Sequence, residues 1–169
     1  MPAVNHRIRV AVLAFGLAAL AAHAQAPISN APNRSIAGGT AVEYMFPEQV
    51  TVPAGRPSPV SLHFRIRQGL HINSHTPRDG FLIPTTLSAP GNSIVRLEGA
   101  TYPDGEDLTL PLDPKNALSV YTGEFTIQAH IVASRGNHLL EAKLRFQACN
   151  DNACMPPKTI PVAIDVIGK

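Results

Sequence analysis

Two cysteines are the residues of this sequence best suited to covalent chemistry. Cys149 and Cys154 are the only cysteines among its 169 residues, and four residues, Asn-Asp-Asn-Ala, separate them. Asn and Asp are common in tight turns, and the pair lies between two segments that we predict as adjacent strands. The two sulfur atoms can therefore meet across a turn, and in an oxidising compartment they can persist as a disulfide. Cys149 and Cys154 are the candidate site residues.

A bridge between these cysteines has limited value as a structural cross-link. Closing so short a loop stabilises a fold by roughly 2 kcal/mol on the chain-entropy account. A domain of about 145 residues can bury a core without such help, and stabilising bridges in sandwich domains more often join distant strands across the core. The spacing therefore favours a bridge that an outside thiolate can attack, with a purely structural disulfide as the alternative.

Metal binding is a weaker alternative. His71 and His75 are four residues apart, but their segment looks like a strand running into a loop, where this spacing does not bring two imidazoles together. A structural zinc site would require four Cys or His ligands. A copper(I) site is a minor hypothesis, with the ligands Cys149, Cys154, Met155 and His71. We predict no metal and no cofactor.

The N-terminus has the pattern of a secretory signal peptide. A positive stretch at residues 6–9 precedes the apolar run Val10–Ala22, and Ala22-His23-Ala24 is an A-x-A cleavage site. The apolar run is shorter than the roughly 20 residues of a membrane span. We predict a cleaved signal peptide at residues 1–24 and export to the periplasm. Residues 25–40, rich in Ala, Pro, Asn, Ser and Gly, are expected to be a flexible leader.

The charge balance argues against nucleic acid as a partner. The chain has 14 Lys and Arg against 12 Asp and Glu. Arg7 and Arg9 leave with the signal peptide, so the mature balance is 12 against 12. A neutral domain without a basic stripe gives no support for nucleic-acid binding. No second apolar stretch approaches membrane length, so we expect a mature protein without a membrane span, and a monomer.

Residues 41–169 have the pattern of β-strands. Apolar and polar residues alternate with a period of two, which indicates strands with one buried face, in Val60–Ile66, Phe125–Ile131, Leu140–Phe146 and Ile160–Val166. Shorter candidate strands are Val42–Phe46, Gln49–Val52, Leu70–Asn73, Thr85–Leu87 and Ile94–Leu97. No amphipathic helix is evident, and 16 prolines oppose one. The fold class is all-β, and an antiparallel two-sheet sandwich is the expected architecture.

Two local features refine this expectation. Pro161 favours an edge position for the last strand, because proline cannot donate to a sheet ladder. The segment Tyr102–Asn116 carries four acidic residues and three prolines, and we expect it to form a long loop of the kind that often covers or binds something.

The surroundings of the cysteines resemble a known family. Phe146-Gln147-Ala148-Cys149, followed by Cys154-Met155-Pro156-Pro157, is similar to the end of a strand and the second cysteine in the N-terminal periplasmic domain of the thiol:disulfide interchange protein DsbD. The stretch Gly69–Ser74 and the later Phe81–Thr85 are also similar to versions of this domain. The resemblance covers roughly residues 42–166.

The resemblance implies an immunoglobulin-like sandwich whose cysteine pair passes electrons to or from a periplasmic partner, a thioredoxin-like or DsbD-like redox protein. By position, Cys154 matches the cysteine that forms the mixed disulfide and Cys149 the one that resolves it. The chain would be a free-standing module with protein-disulfide reductase-like exchange. The alternative is a non-catalytic immunoglobulin-like binding or scaffold domain with a structural disulfide.

The resemblance also implies a cap loop that shields the pair until a partner docks. The acidic segment Asp104–Asn116 lies where that loop is expected. The family's cap carries an aromatic residue, whereas this chain offers Leu108, Leu110 and Leu112.

Overall fold

The computed structural model describes residues 40–46, 49–91 and 93–169. The predicted signal peptide at residues 1–24 and nearly all of the predicted leader at residues 25–40 lie outside these ranges. Within them the chain is all-β, as predicted, with twelve strands and no helix. No helix among the described residues is long and apolar enough to cross a membrane.

The strands are, in chain order, β1 (Val42–Met45), β2 (Val50–Val52), β3 (Ser58–Ile66), β4 (His71–Asn73), β5 (Thr86–Ser88), β6 (Val95–Thr101), β7 (Glu106–Leu110), β8 (Asp113–Tyr121), β9 (Glu124–Ala133), β10 (Gly136–Phe146), β11 (Ala148–Cys149) and β12 (Lys158–Gly168). They form three four-stranded sheets. The first sheet has the order β1-β3-β9-β6, the second β2-β12-β10-β5 and the third β11-β4-β8-β7. All nine strand segments predicted from the periodicity correspond to strands of the structure.

The core lies between the first and second sheets. Alternate residues of β3, β9, β10 and β12 are buried, because successive side chains of a strand point to opposite faces. Phe64 and Ile127 from the first sheet join Phe146 and Ile164 from the second in one apolar cluster, each with an exposed fraction of 0%. Burying a side chain of this size is worth about 1.5–3 kcal/mol. This cluster is the main support of the fold.

The second sheet contains the one departure from an antiparallel arrangement among the described strand pairs. β2 pairs in parallel with the end of β12, where Val50–Val52 lies beside Val166–Gly168. Pro161 lies earlier in β12, opposite Lys143 of β10, and the ladder with β2 does not extend to it. The edge position predicted for the last strand was therefore wrong, because β12 lies between β2 and β10. Pro161 is tolerated because the ladder with β2 covers only the far end of β12.

The third sheet was not expected from the sequence. The segment Tyr102–Asn116, predicted as a long loop, contains β7 and the first part of β8, which form an antiparallel hairpin. The loop prediction was wrong because the acidic residues and prolines obscured a short alternation in which Leu108 and Leu110 are the apolar members. Pro111 falls in the turn between the strands, where its missing N–H costs no ladder hydrogen bond.

Candidate redox site

The two cysteines lie on either side of a tight turn. Cys149 ends β11 and forms an isolated antiparallel bridge with Cys154. Backbone hydrogen bonds close the turn, from Asn150 N–H to the Ala153 carbonyl at 3.0 Å and from Met155 N–H to the Ala148 carbonyl at 2.8 Å. The sequence favours this local structure because an Asn side chain can accept hydrogen bonds from the backbone that follows it. Asn150 Oδ1 accepts from the N–H groups of residues 152 and 153, at 2.9 and 2.8 Å.

Cys149 and Cys154 are joined in a disulfide, with their Cα atoms 3.9 Å apart. The structure thus brings the two predicted site residues together. Their environments differ, since Cys149 is 2% exposed whereas Cys154 is an exposed residue. A molecule approaching from solvent therefore meets Cys154 first.

β4 lies directly beside the cysteine strand. In the antiparallel pair of β4 and β11, His71 lies opposite Cys149 and Ile72 opposite Ala148. Opposed residues in such a pair have their side chains on the same face of the sheet. The family resemblance includes the segment that contains His71, and the structure places this histidine next to the buried cysteine.

His71 is 3% exposed, and its Nε2 has no hydrogen-bond partner among the described residues. Burial lowers the pKa of His71, because the charged imidazolium loses its hydration, and the negative charge of Asp151 opposes this shift in part. The imidazole beside Cys149 is therefore neutral near pH 7.

Hydrogen bonds of Asn73 and Gln147 connect β4 to the cysteine motif. Asn73 is the last residue of β4, and Gln147 lies between β10 and β11. The Asn73 Nδ2 group, in a residue 1% exposed, donates to the Ile83 carbonyl at 3.0 Å and to Gln147 Oε1 at 3.4 Å. Gln147 Nε2 donates in turn to the Met155 carbonyl at 3.3 Å. These hydrogen bonds hold the two ends of the disulfide turn against β4.

His75 belongs to a separate cluster. Its ring stacks on Tyr102 with the centroids 3.7 Å apart, and its Nδ1 lies 2.9 Å from the Thr85 carbonyl, which can only accept a hydrogen bond. Its backbone N–H donates to the Tyr121 hydroxyl at 3.1 Å. His71 and His75 therefore have different neighbours, as expected for a strand that continues into a loop.

The hairpin of β7 and β8 reaches the disulfide. A cavity of about 240 Å³ is lined by the disulfide turn, by His71 and Asn73 of β4, and by the leucines Leu82, Leu110, Leu112 and Leu118. Leu112, in the hairpin turn, is nevertheless 79% exposed. Aliphatic side chains thus stand beside the pair in the place where the family resemblance implied a cap.

The described part of the chain contains no group of three or more His, Cys, Asp and Glu side chains arranged to hold a metal ion. Cys149 and Cys154 are bonded to each other and so are not thiolate ligands in this state. Sequence reasoning missed Asn73, Gln147 and Leu118 as members of the site. Asn73 and Gln147 both lay inside the similar motifs, but their hydrogen bonds could be known only from the fold.

The chain is similar to known proteins over most of its described length. Residues 41–165 match the family described as thiol:disulfide interchange protein DsbD, N-terminal. Among solved structures, the chain is similar to the N-terminal domain of Neisseria meningitidis DsbD in the reduced form, with 18% identity and a TM-score of 0.44. That similarity covers 65% of this chain and 77% of the other. No curated protein matches the chain significantly.

The fold and the site define a β-sandwich domain with a disulfide at one edge. The chain belongs to the DsbD N-terminal domain family, because the family match covers most of its length. The predicted all-β fold is confirmed for the described residues, with a third sheet as the addition described above. Domains of this family are periplasmic in related proteins.

Proposed function

We propose that this chain is an exported thiol–disulfide interchange module that works through the Cys149–Cys154 pair. The observation that carries the proposal is the asymmetry of the disulfide, with an exposed Cys154 bonded to a buried Cys149. Exchange requires a sulfur atom that an outside thiolate can reach in line with the bond that breaks. Cys154 meets that requirement, so Cys149 is the sulfur that leaves when the bond breaks.

When the disulfide of this chain is reduced, the partner is a protein with two thiols. A thiolate of the partner attacks Cys154 Sγ, the disulfide breaks, and Cys149 leaves with the bonding electron pair as a thiolate. The partner's second thiolate then attacks its own sulfur in the mixed disulfide and releases Cys154. Two electrons have passed to this chain, and the partner's two thiols have become a disulfide.

The reverse sequence passes the electrons on. The Cys154 thiolate attacks an oxidised partner and forms the mixed disulfide, while one partner sulfur leaves as a thiolate. Cys149 then attacks Cys154 Sγ, which restores the internal disulfide and releases the reduced partner. We propose a thioredoxin-like or DsbD-like periplasmic protein as this partner, since it would present the required dithiol or disulfide. The leucines around the cavity offer an apolar surface for contact.

Export is part of the proposal. The pattern of residues 1–24 and the periplasmic location of related domains support cleavage before Gln25. Intact-mass measurement of protein recovered from the periplasm is expected to give a chain that begins at Gln25. A mass that includes residues 1–24 would contradict a cleaved signal peptide.

A redox titration separates exchange from the alternative of a structural disulfide. The protein is equilibrated over a range of reduced to oxidised glutathione ratios, and free thiols are scored by the gel shift after alkylation. An exchange module is expected to titrate fully within that range while circular dichroism shows that the domain stays folded. A bridge that stays closed at the most reducing ratio would support the scaffold alternative instead.

A further inference from the structure

Three residues form a row across the sheet edge. His71 lies opposite Cys149 in the pair of β4 and β11, and Cys149 lies opposite Cys154 in the isolated bridge. Directly opposed residues of antiparallel strands have Cβ atoms about 4.5–5.5 Å apart, on one face. All three side chains line the same cavity. His71 is thus the cross-strand neighbour of Cys149 on the side away from Cys154.

The Nε2 atom of His71 is an exception among the buried polar groups. Asn73, Ser74, Thr85 and Ser119 are buried, and each makes a side-chain hydrogen bond. His71 Nε2 is the one fully buried side-chain nitrogen or oxygen without a partner in the described part of the chain. Such a group lowers stability and therefore calls for an explanation. A hydrogen-bond partner for Nε2 that exists only in another state of the protein would explain why the atom has none here.

We propose that His71 is a positioning residue for the redox step: its Nε2–H donates a hydrogen bond to the Cys149 sulfur once the disulfide opens, and so stabilises that sulfur as a thiolate. The inference rests on the proposed exchange function. When a partner thiolate attacks Cys154, the electron pair of the broken bond goes to Cys149, which is buried and loses hydration. A hydrogen bond to a charged acceptor is about twice as strong as a neutral one, so His71 favours the departure of Cys149.

The charged and titratable groups around His71 determine how it responds to pH. His71 lines the cavity beside the disulfide and also a second cavity, and the charged or titratable residues that line the two are Cys149, Cys154, Asp151, Arg65, Arg67 and Glu124. Tyr121 lies on β8 opposite Ile72, the neighbour of His71. Arg65 and Glu124 pair with each other at 2.9 Å. Asp151 raises the pKa of His71 against the larger effect of burial. A new thiolate at Cys149 would add a second negative charge beside the imidazole.

Reduction of the disulfide is therefore coupled to the protonation of the pair formed by His71 and Cys149. In the oxidised state the imidazole is neutral near pH 7, because burial lowers its pKa. In the reduced state the thiolate and the imidazole interact closely, so they titrate as a coupled pair rather than as independent groups. The thiolate is held at a pH at which an isolated cysteine, with a pKa of about 8.5, would be a thiol.

The test titrates Cys149 alone, in Cys154→Ser protein, by the ultraviolet absorbance of the thiolate and by the pH profile of alkylation. The pKa of Cys149 is expected to lie below about 8.5 and to rise by at least about one unit in the Cys154→Ser/His71→Leu protein. His71→Gln, which keeps a donor but cannot take up a proton, is expected to recover part of the shift. His63→Leu, on the exposed face of β3, is the matched control and should change nothing.

Equal pKa values of Cys149 in the Cys154→Ser protein and in the Cys154→Ser/His71→Leu protein would overturn the inference. Folding is followed separately in the oxidised proteins, where His71→Leu is expected to be at least as resistant to urea as the parent, since it removes an unpaired buried atom. If that variant does not fold, His71→Phe, which also lacks a donor, carries the comparison, and a pKa of Cys149 unchanged by Phe with a normal urea midpoint also counts against the inference. The titration needs no partner protein, so its failure is distinguishable from a failure of the exchange proposal.

Discussion

At the scale of single residues, one bond joins two cysteines in different surroundings. Cys149 is fixed by the ladder of β11 with β4 and is 2% exposed, whereas Cys154 follows the turn and is exposed. Burial disfavours a charged sulfur, so a buried leaving thiolate requires a nearby donor. The neighbouring His71, with its unpartnered Nε2, meets that requirement.

The side chain of Asn150 sets how readily the turn brings the two sulfur atoms together. Its Oδ1 accepts two backbone hydrogen bonds, each of which contributes about 1 kcal/mol. In Asn150→Ala the reduced turn should be less ordered, so the disulfide should be easier to reduce, by about 5-fold or more in the glutathione equilibrium. Asn152→Ala is the control from the same turn, since these hydrogen bonds use only the backbone N–H of Asn152. A shift of the same size in both variants would contradict this account.

The stability of the oxidised protein should depend on pH through His71. Burial lowers the pKa of His71 below its ordinary value of 6.5, so the folded state favours the neutral ring. The corresponding stability is present above about pH 6.5 and is lost as the pH falls through the lowered value. Between about pH 7 and pH 5, the free energy of unfolding measured with urea should therefore fall further for the parent than for His71→Leu. Equal losses would mean that another group controls the acid response.

At the scale of strands, the third sheet positions the site. It joins the cysteine strand β11 to β4, and β4 to the hairpin of β7 and β8. Of its strands, only β4 was predicted from the sequence. β11 has two residues, too few to show a period, and the hairpin's alternation was hidden by acidic residues and prolines. The cysteine pair was evident from residue type and spacing, but its neighbours depend on a sheet whose pairing no local pattern reveals.

The tip of the hairpin should control access to the disulfide. Leu112 lines the cavity beside the cysteines, so Leu112→Ala should open a path for a small reductant. The rate of reduction by dithiothreitol is expected to rise roughly 2- to 10-fold, because exchange rates depend on access to the sulfur. Leu139→Ala is the control, since Leu139 is also largely exposed, at 54%, but lies on β10 outside this cavity. An unchanged rate in Leu112→Ala would show that the hairpin does not restrict access.

At the scale of the whole molecule, the core and the redox pair are largely separate. Most of the largest fully buried side chains, among them Phe64, Leu144 and Ile164, belong to the first and second sheets, and Ile72 and Val120 are the exceptions from the third. The disulfide lies at the edge of the third sheet, in a turn outside that core. The domain should therefore keep its fold in both redox states, as a module that cycles between them requires.

Removing the disulfide should weaken the domain without unfolding it. The double variant Cys149→Ala/Cys154→Ala closes no loop in the unfolded chain, so its free energy of unfolding should fall by roughly 2 kcal/mol. Urea denaturation followed by circular dichroism measures the change, with the oxidised parent as reference. Loss of the folded state, or a decrease far beyond this value, would mean that the bridge is chiefly a structural cross-link.

The most direct test of the central claim is to trap the mixed disulfide. Cys149→Ser protein keeps the exposed Cys154 thiol but cannot resolve the intermediate, so with a purified, oxidised thioredoxin-like protein it should form a covalent complex that thiol reductants release. Cys154→Ser protein, with only the buried Cys149, is the matched control and should form little or none. A complex through Cys154 alone is the predicted result. Equal trapping by both variants, or by neither while the partner remains oxidised and reactive, would contradict the account.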